Sequence, residues 1–114
     1  MTSQNTKNRT DVMEPIVFAE KWIIFTPKSK RKPDWGKIVA KTKLLMKLLG
    51  ISRNGIESWG PLWKKHHSLI PILLKRENDI NEIRNIINDQ TLDEWEKIKE
   101  IKIIVGDLPE YYKQ

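Results

Sequence analysis

The chain has 114 residues, a net charge of +6 and no cysteine. That is length enough to close one hydrophobic core, and it excludes disulfides and thiolate metal sites. No apolar run approaches the roughly 18 residues of a membrane span and residues 1–14 are polar, so the sequence predicts neither a transmembrane helix nor a secretory signal and points to an intracellular protein, cytoplasmic or nuclear.

The composition is globular, 39% hydrophobic and 32% charged with five tryptophans, but the charge is unevenly spread. Between Pro27 and Gly50 stand Lys28, Lys30, Arg31, Lys32, Lys37, Lys41, Lys43 and Lys47 against a single acid, Asp34. Residues 51–67 are mildly positive, 1–26 neutral, and 68–114 mildly negative. A segregated basic stretch favours a polyanionic partner, nucleic acid or an anionic membrane face, over a neutral one; the bland alternative is a solvated lysine-rich surface.

Residues 1–14 have almost nothing to bury and are expected to form a disordered arm. The segment 15–26, PIVFAEKWIIFT, reads two ways. Phe18, Trp22 and Phe25 align on a helix, whereas Ile16, Phe18, Glu20 and Trp22 alternate on a strand. The β-branched run at its end tilts the reading to strand or extended structure. Residues 27–33, PKSKRKP, form a basic linker bracketed by prolines, similar to a nuclear-import signal or a phosphate-binding arm.

Asp34 is the expected cap of the first long helix, with Trp35 packing in its first turn. Ile38, Thr42, Leu45 and Leu49, with Val39 and Met46 beside them, follow the three-and-four spacing of a buried helix face. Gly50 should stop that helix by accepting positive φ, and Ser52 should cap a short second one that buries Ile56 and Trp59. Gly60-Pro61 breaks it, and Pro61 can open a short turn through Trp63.

Further on, Ser68 is expected to begin a helix carrying Leu69, Ile70, Leu73 and Leu74. Asp79 with Glu82 reads as a capping box opening a separate helix, with Ile80, Ile83, Ile86 and Ile87 on its face. Residues 88–90 form a turn. Thr91 with Glu94 reads as a second box, opening a helix with an apolar stripe of Leu92, Trp95, Ile98, Ile101, Ile104 and Val105. Gly106 and Pro109 end it, and 110–114 is expected to be a loose tail. Of the tryptophans, 35, 59 and 95 fall on apolar faces and are expected in the core, leaving Trp22 and Trp63 as the exposed pair.

Nothing in the pattern is catalytic. His66 and His67 are adjacent and diverge by roughly 100° on a helix, so they cannot chelate one ion together. The five glycines are scattered and form no phosphate loop. No cofactor, metal or small-molecule substrate is implied.

The stretch LLGISRNGIESWG resembles the helix-turn-helix of phage-repressor and Cro-like DNA-binding proteins. The family's spacing is matched by Leu49, Gly50, Ile51, Ser52, Ile56 and Trp59, within residues 42–60. The resemblance implies that Ser52, Arg53, Asn54, Glu57 and Ser58 face the major groove of duplex DNA, where Arg and Asn pair bidentately with guanine and adenine edges. Two residues depart from the family pattern: Met46, where a small residue usually lets the helices touch, and Gly55 inside the second helix.

These readings predict an all-α domain over 15–109, a small bundle of four to six helices with an N-terminal segment left open between strand and helix. The leading function is non-enzymatic: a regulatory protein binding nucleic acid, duplex DNA favoured, through the helix-turn-helix unit. Lys28, Lys30, Arg31, Lys32, Lys37, Lys41 and Lys47 would hold phosphates, and Ser52, Arg53, Asn54, Glu57 and Ser58 would read bases. The alternative is a matrix- or scaffold-like assembly module, viral or from a mobile element. Its basic face would meet RNA or an anionic membrane, and its isoleucine-rich C-terminal helices would pair in a homodimer.

Overall fold

The computed structural model describes residues 11–24 and 33–112, and, for residues 33–35, the backbone only. Those residues contain five α-helices and no strand. The helices are α1 (Pro15–Trp22), α2 (Pro33–Leu49), α3 (Arg53–Glu57), α4 (Leu69–Ile87) and α5 (Glu94–Val105), with single 3-10 turns at Pro61–Trp63 and Glu110–Tyr112. The fold is all-α. No helix among the described residues is long and apolar enough to cross a membrane. The chain divides into two compact units, Met1–Lys75 and Arg76–Gln114.

In the first unit the segment left between strand and helix is a helix from Pro15 to Trp22. Its physical reason is backbone satisfaction. A lone strand would leave its N–H and C=O groups without partners, whereas a helix pairs them internally. Pro15, at the first helical position, gives up no hydrogen bond there. Phe18 and Ala19 are buried; of the β-branched run that suggested a strand, the described residues Ile23 and Ile24 follow the helix, Ile23 partly buried and Ile24 in solvent. Residues 25 and 26 lie outside the described residues.

Helix α2 begins at Pro33, so Asp34 sits inside its first turn rather than ahead of it as a cap. The packing of Trp35 lies outside the description. Leu45 is fully buried and Leu44, Met46, Leu48 and Leu49 pack partly buried against the same core, whereas Ile38 is half-exposed, so the buried face is shorter than its spacing predicts. Gly50 ends the helix at φ 68°, its N–H donating to the Met46 carbonyl at 2.9 Å. The core is Phe18, Ala19, Leu45, Ile56, Trp59, Ile70 and Leu74, drawn from α1, α2, α3, the following turn and the start of α4.

Two local devices close this unit. The Met13 N–H donates to the Pro71 carbonyl at 2.9 Å, and Met13 packs against the core, so the chain is fixed from just before Glu14. Residues 1–10 of the expected arm lie outside the described residues. The Leu69 N–H donates to His67 Nδ1 at 3.0 Å, satisfying one of the free donors at the start of α4. Between them, Leu62 and Trp63 both adopt left-handed backbone, with φ 57° and 53°, which non-glycine residues enter at a cost of roughly 1–2 kcal/mol each.

In the second unit α4 continues unbroken through residue 79, so Asp79 and Glu82 cap nothing. Instead both carboxylates accept from the buried Asn78 amide, at 3.2 and 3.4 Å. The start of α5 also shifts: Asp93 and Glu96, not Thr91 and Glu94, form its capping box. Thr91 is occupied elsewhere, its N–H and hydroxyl both donating to Asp89 in the turn. Gly106 ends α5 at φ 69°, and residues 110–112 of the expected tail form a 3-10 turn. The expected burial of Trp95 is not found: it is 76% exposed, and α5 has no buried residue at all. Trp22 and Trp63, expected to be exposed, are partly buried against the first unit's core.

Candidate nucleic-acid interface

The unit formed by α2, the Gly50-Ile51 turn and α3 is built by local chemistry. The Ser52 hydroxyl accepts from the Gly55 N–H at 3.1 Å, capping α3. Gly55, which departs from the helix-turn-helix pattern, has a packing reason: a Cβ there would lie 2.5 Å from Ile51 Cγ2. Ile51 thus folds back over α3 where only glycine leaves room. The Ser58 hydroxyl donates to the Gly55 carbonyl at 2.6 Å, closing the helix end. Ile56 and Trp59 point into the core.

With those two residues inward, Arg53, Asn54 and Glu57 stand on the solvent side of a single helical turn. Arg53 Nε lies 3.3 Å from the Glu57 carboxylate, an exposed pair four residues apart. Such pairs contribute little and open easily, so the guanidinium remains available to a stronger anion. Ser52 and Ser58 are also on the surface, though each already bonds the α3 backbone.

Of the predicted phosphate-binding residues, Lys28, Lys30, Arg31 and Lys32 lie outside the described residues. Lys37 and Lys41 converge on Glu20 of α1: Lys37 at 2.7 Å from one carboxylate oxygen and Lys41 ion-paired with the other. The Lys41 side chain is only 14% exposed. Hydrogen bonds from Lys37, then Lys41, lower the Glu20 pKa to about 2. These two lysines therefore tie α2 to α1. Lys47 is exposed in the last turn of α2, where a cation complements the helix C-terminus.

The structure adds one cation to the predicted set. Lys43 and Arg53, with Val39, Thr42 and Met46, line a cleft of about 100 Å³ at the α2–α3 junction. Lys43 and Lys47 are four residues apart on α2, a spacing legible in the sequence as one shared face.

The two histidines lie ahead of α4 rather than on a helix, and each has its own partners. His66 Nε2 lies 2.9 Å from Glu14 and its ring stands edge-on to Trp59, while His67 caps α4. Among the described residues no group of three or more His, Asp and Glu is placed to hold a metal ion. No protein-family model, curated protein or solved structure matches the chain.

Proposed function

We propose that the protein is a non-enzymatic, regulatory nucleic-acid-binding protein that docks duplex DNA through the α2–α3 unit, inside the cell. The observation that carries this reading is the division of α3: Ile56 and Trp59 are in the core, while Arg53, Asn54 and Glu57 project together from one turn. Lys43, which lines a cleft with Arg53, and Lys47, one turn further along α2, supply the phosphate contacts that set register, leaving Arg53 and Asn54 to the base edges. Because α3 has only five residues, the readout is confined to two or three base pairs per unit, each good bidentate contact contributing roughly 1–3 kcal/mol of discrimination.

The test is selection from random duplexes with the wild type and the Arg53→Ala/Asn54→Ala variant in parallel. Neither residue is buried, so the variant should fold normally, retain salt-sensitive nonspecific binding and lose all sequence preference. A wild type that enriches no sequence overturns the reading. In a companion salt titration, charge reversal of Lys43 and Lys47 should lower affinity on every duplex and flatten the dependence on salt, since fewer counterions are released.

A further inference from the structure

Helix α5 of the second unit carries exposed apolar side chains. On α5, Trp95, Ile98, Lys102 and Val105 follow three-four-three spacing and so form one stripe along the helix. Trp95 is 76%, Ile98 43% and Val105 61% exposed. On the same unit's part of α4, Ile80 and Ile87, seven residues apart and therefore on one face, are 42% and 54% exposed.

Among the described residues of this unit only Asn78 is buried, so it closes no hydrophobic core of its own. The chain has no cysteine, and no metal-holding group exists among the described residues. We infer that the exposed stripe of α5, Trp95–Ile98–Val105, is a self-association surface, and that its occupant is the same stripe of a second copy of this chain, laid antiparallel.

Two features select that occupant. The first is charge. Helix α5 has Glu94 and Glu96 in its first turn and Lys102 in its last. An antiparallel pair sets Glu94 of one copy about one helical turn from the partner's Lys102 at both ends, within reach of the long lysine side chain, and opposes the helix dipoles favourably; a parallel pair sets like beside like. Lys102, which interrupts the apolar stripe, then has an anionic neighbour in place of water.

The second feature is area. An ordinary homodimer buries about 800 Å² per partner, some 65% of it apolar, so about 500 Å² of apolar surface is needed on each copy. The three side chains of the stripe expose the larger part of that, with Trp95 alone offering between about 150 and 200 Å². An isologous contact of this kind closes on itself as a dimer rather than growing into a fibre. The inference does not rest on the DNA reading, because none of these residues belongs to the α2–α3 unit.

The experiment is sedimentation equilibrium on the full chain, freed of nucleic acid, across a wide concentration range. The wild type should pass from monomer to dimer. Trp95→Glu/Val105→Glu, two exposed positions, should stay monomeric with unchanged helicity by circular dichroism. Glu94→Lys and Lys102→Glu should each weaken dimerisation by roughly tenfold or more, and an equimolar mixture of the two should recover most of that loss in a heterodimer. A wild type monomeric throughout, or a dimer that survives the double variant, overturns the surface. Failure of the mixed charge reversals to recover overturns the antiparallel arrangement.

Discussion

The two units differ less in apolar content than in what the apolar residues meet. In the first, side chains from three helices and the start of a fourth converge on Leu45 and Ile56, both fully buried. In the second, α5 is richer in isoleucine than any helix of the first, and yet none of its residues is buried. A helix buries its stripe only when another surface of matching shape lies opposite, and periodicity measures the stripe, not the opposing surface.

The sharpest way to break this contrast is a matched pair of truncations. Leu45→Ala should cost about 2–5 kcal/mol, the transfer term plus the cavity it leaves. Trp95→Ala, measured on dilute monomer, should fall within about 0.5 kcal/mol of wild type despite removing a larger side chain. Urea unfolding followed by circular dichroism compares them directly. Comparable losses in the two variants would mean that Trp95 is covered within the monomer.

The same contrast separates what the sequence discloses from what it withholds. Gly50, Ser52 and Gly106 act through bonds to residues a few positions away, so their roles were legible from neighbours alone. Capping was legible only in kind: Asp79 with Glu82, Thr91 with Glu94 and Asp93 with Glu96 all satisfy the same spacing. The third pair wins because Asp89 engages Thr91, and because no breaker interrupts α4 at Asp79. Burial of Trp95 and helicity of residues 15–22 depend on long-range partners and were not legible. The site divides likewise. The outward set on α3 follows from its spacing, whereas the diversion of Lys37 and Lys41 to Glu20 depends on an acid at least 17 residues away.

A smaller effect probes how tightly the first unit is closed. Gly55→Ala gains up to about 1 kcal/mol of helix propensity, but the new methyl group meets Ile51, itself packed on the core. Overpacking of that kind ordinarily costs about 1–3 kcal/mol, so net destabilisation is expected. Adding Ile51→Ala should recover part of it, giving a favourable coupling in the double-mutant cycle. Strict additivity would show that the two side chains do not touch.

Next in size, the caps of the two units can be set against each other. Ser52→Ala should cost about 1 kcal/mol, and Asp93→Ala a similar amount by removing the side-chain acceptor of the Glu96 N–H in the α5 capping box. Asp79→Ala, at a position that caps no helix, should leave helicity nearly unchanged. Circular dichroism with denaturant titration distinguishes them, and a loss at Asp79 equal to that at Asp93 would place a helix boundary inside α4.

The smallest expected effect is in acid, and it follows from Glu20. Its carboxylate is held at about pKa 2 by Lys37 and Lys41, against an ordinary value of 4.5. A group whose folded pKa is depressed contributes stability above its unfolded value and loses it as the proton goes on. The α1–α2 tie is therefore intact at neutral pH, begins to weaken below about 4.5, and is gone once the pH falls through about 2. Glu20→Gln removes the charge at every pH, so it should lower stability slightly at pH 7 and flatten the acid limb in that window. In the second unit Asp89 is depressed too, chiefly by the Thr91 hydroxyl and then by its N–H, so Asp89→Asn should flatten a separate limb below 3.8. Indole N–H resonances give each unit its own reporter, Trp59 in the first and Trp95 in the second. Because Glu20 and Lys37 are exposed, their part of the tie should also shrink in high salt, whereas the more buried Lys41 should resist screening better. If Glu20→Gln leaves the acid limb seen by Trp59 unchanged, then α1 is held to α2 by Phe18 and Ala19 alone, and Lys37 and Lys41 are available to an external anion.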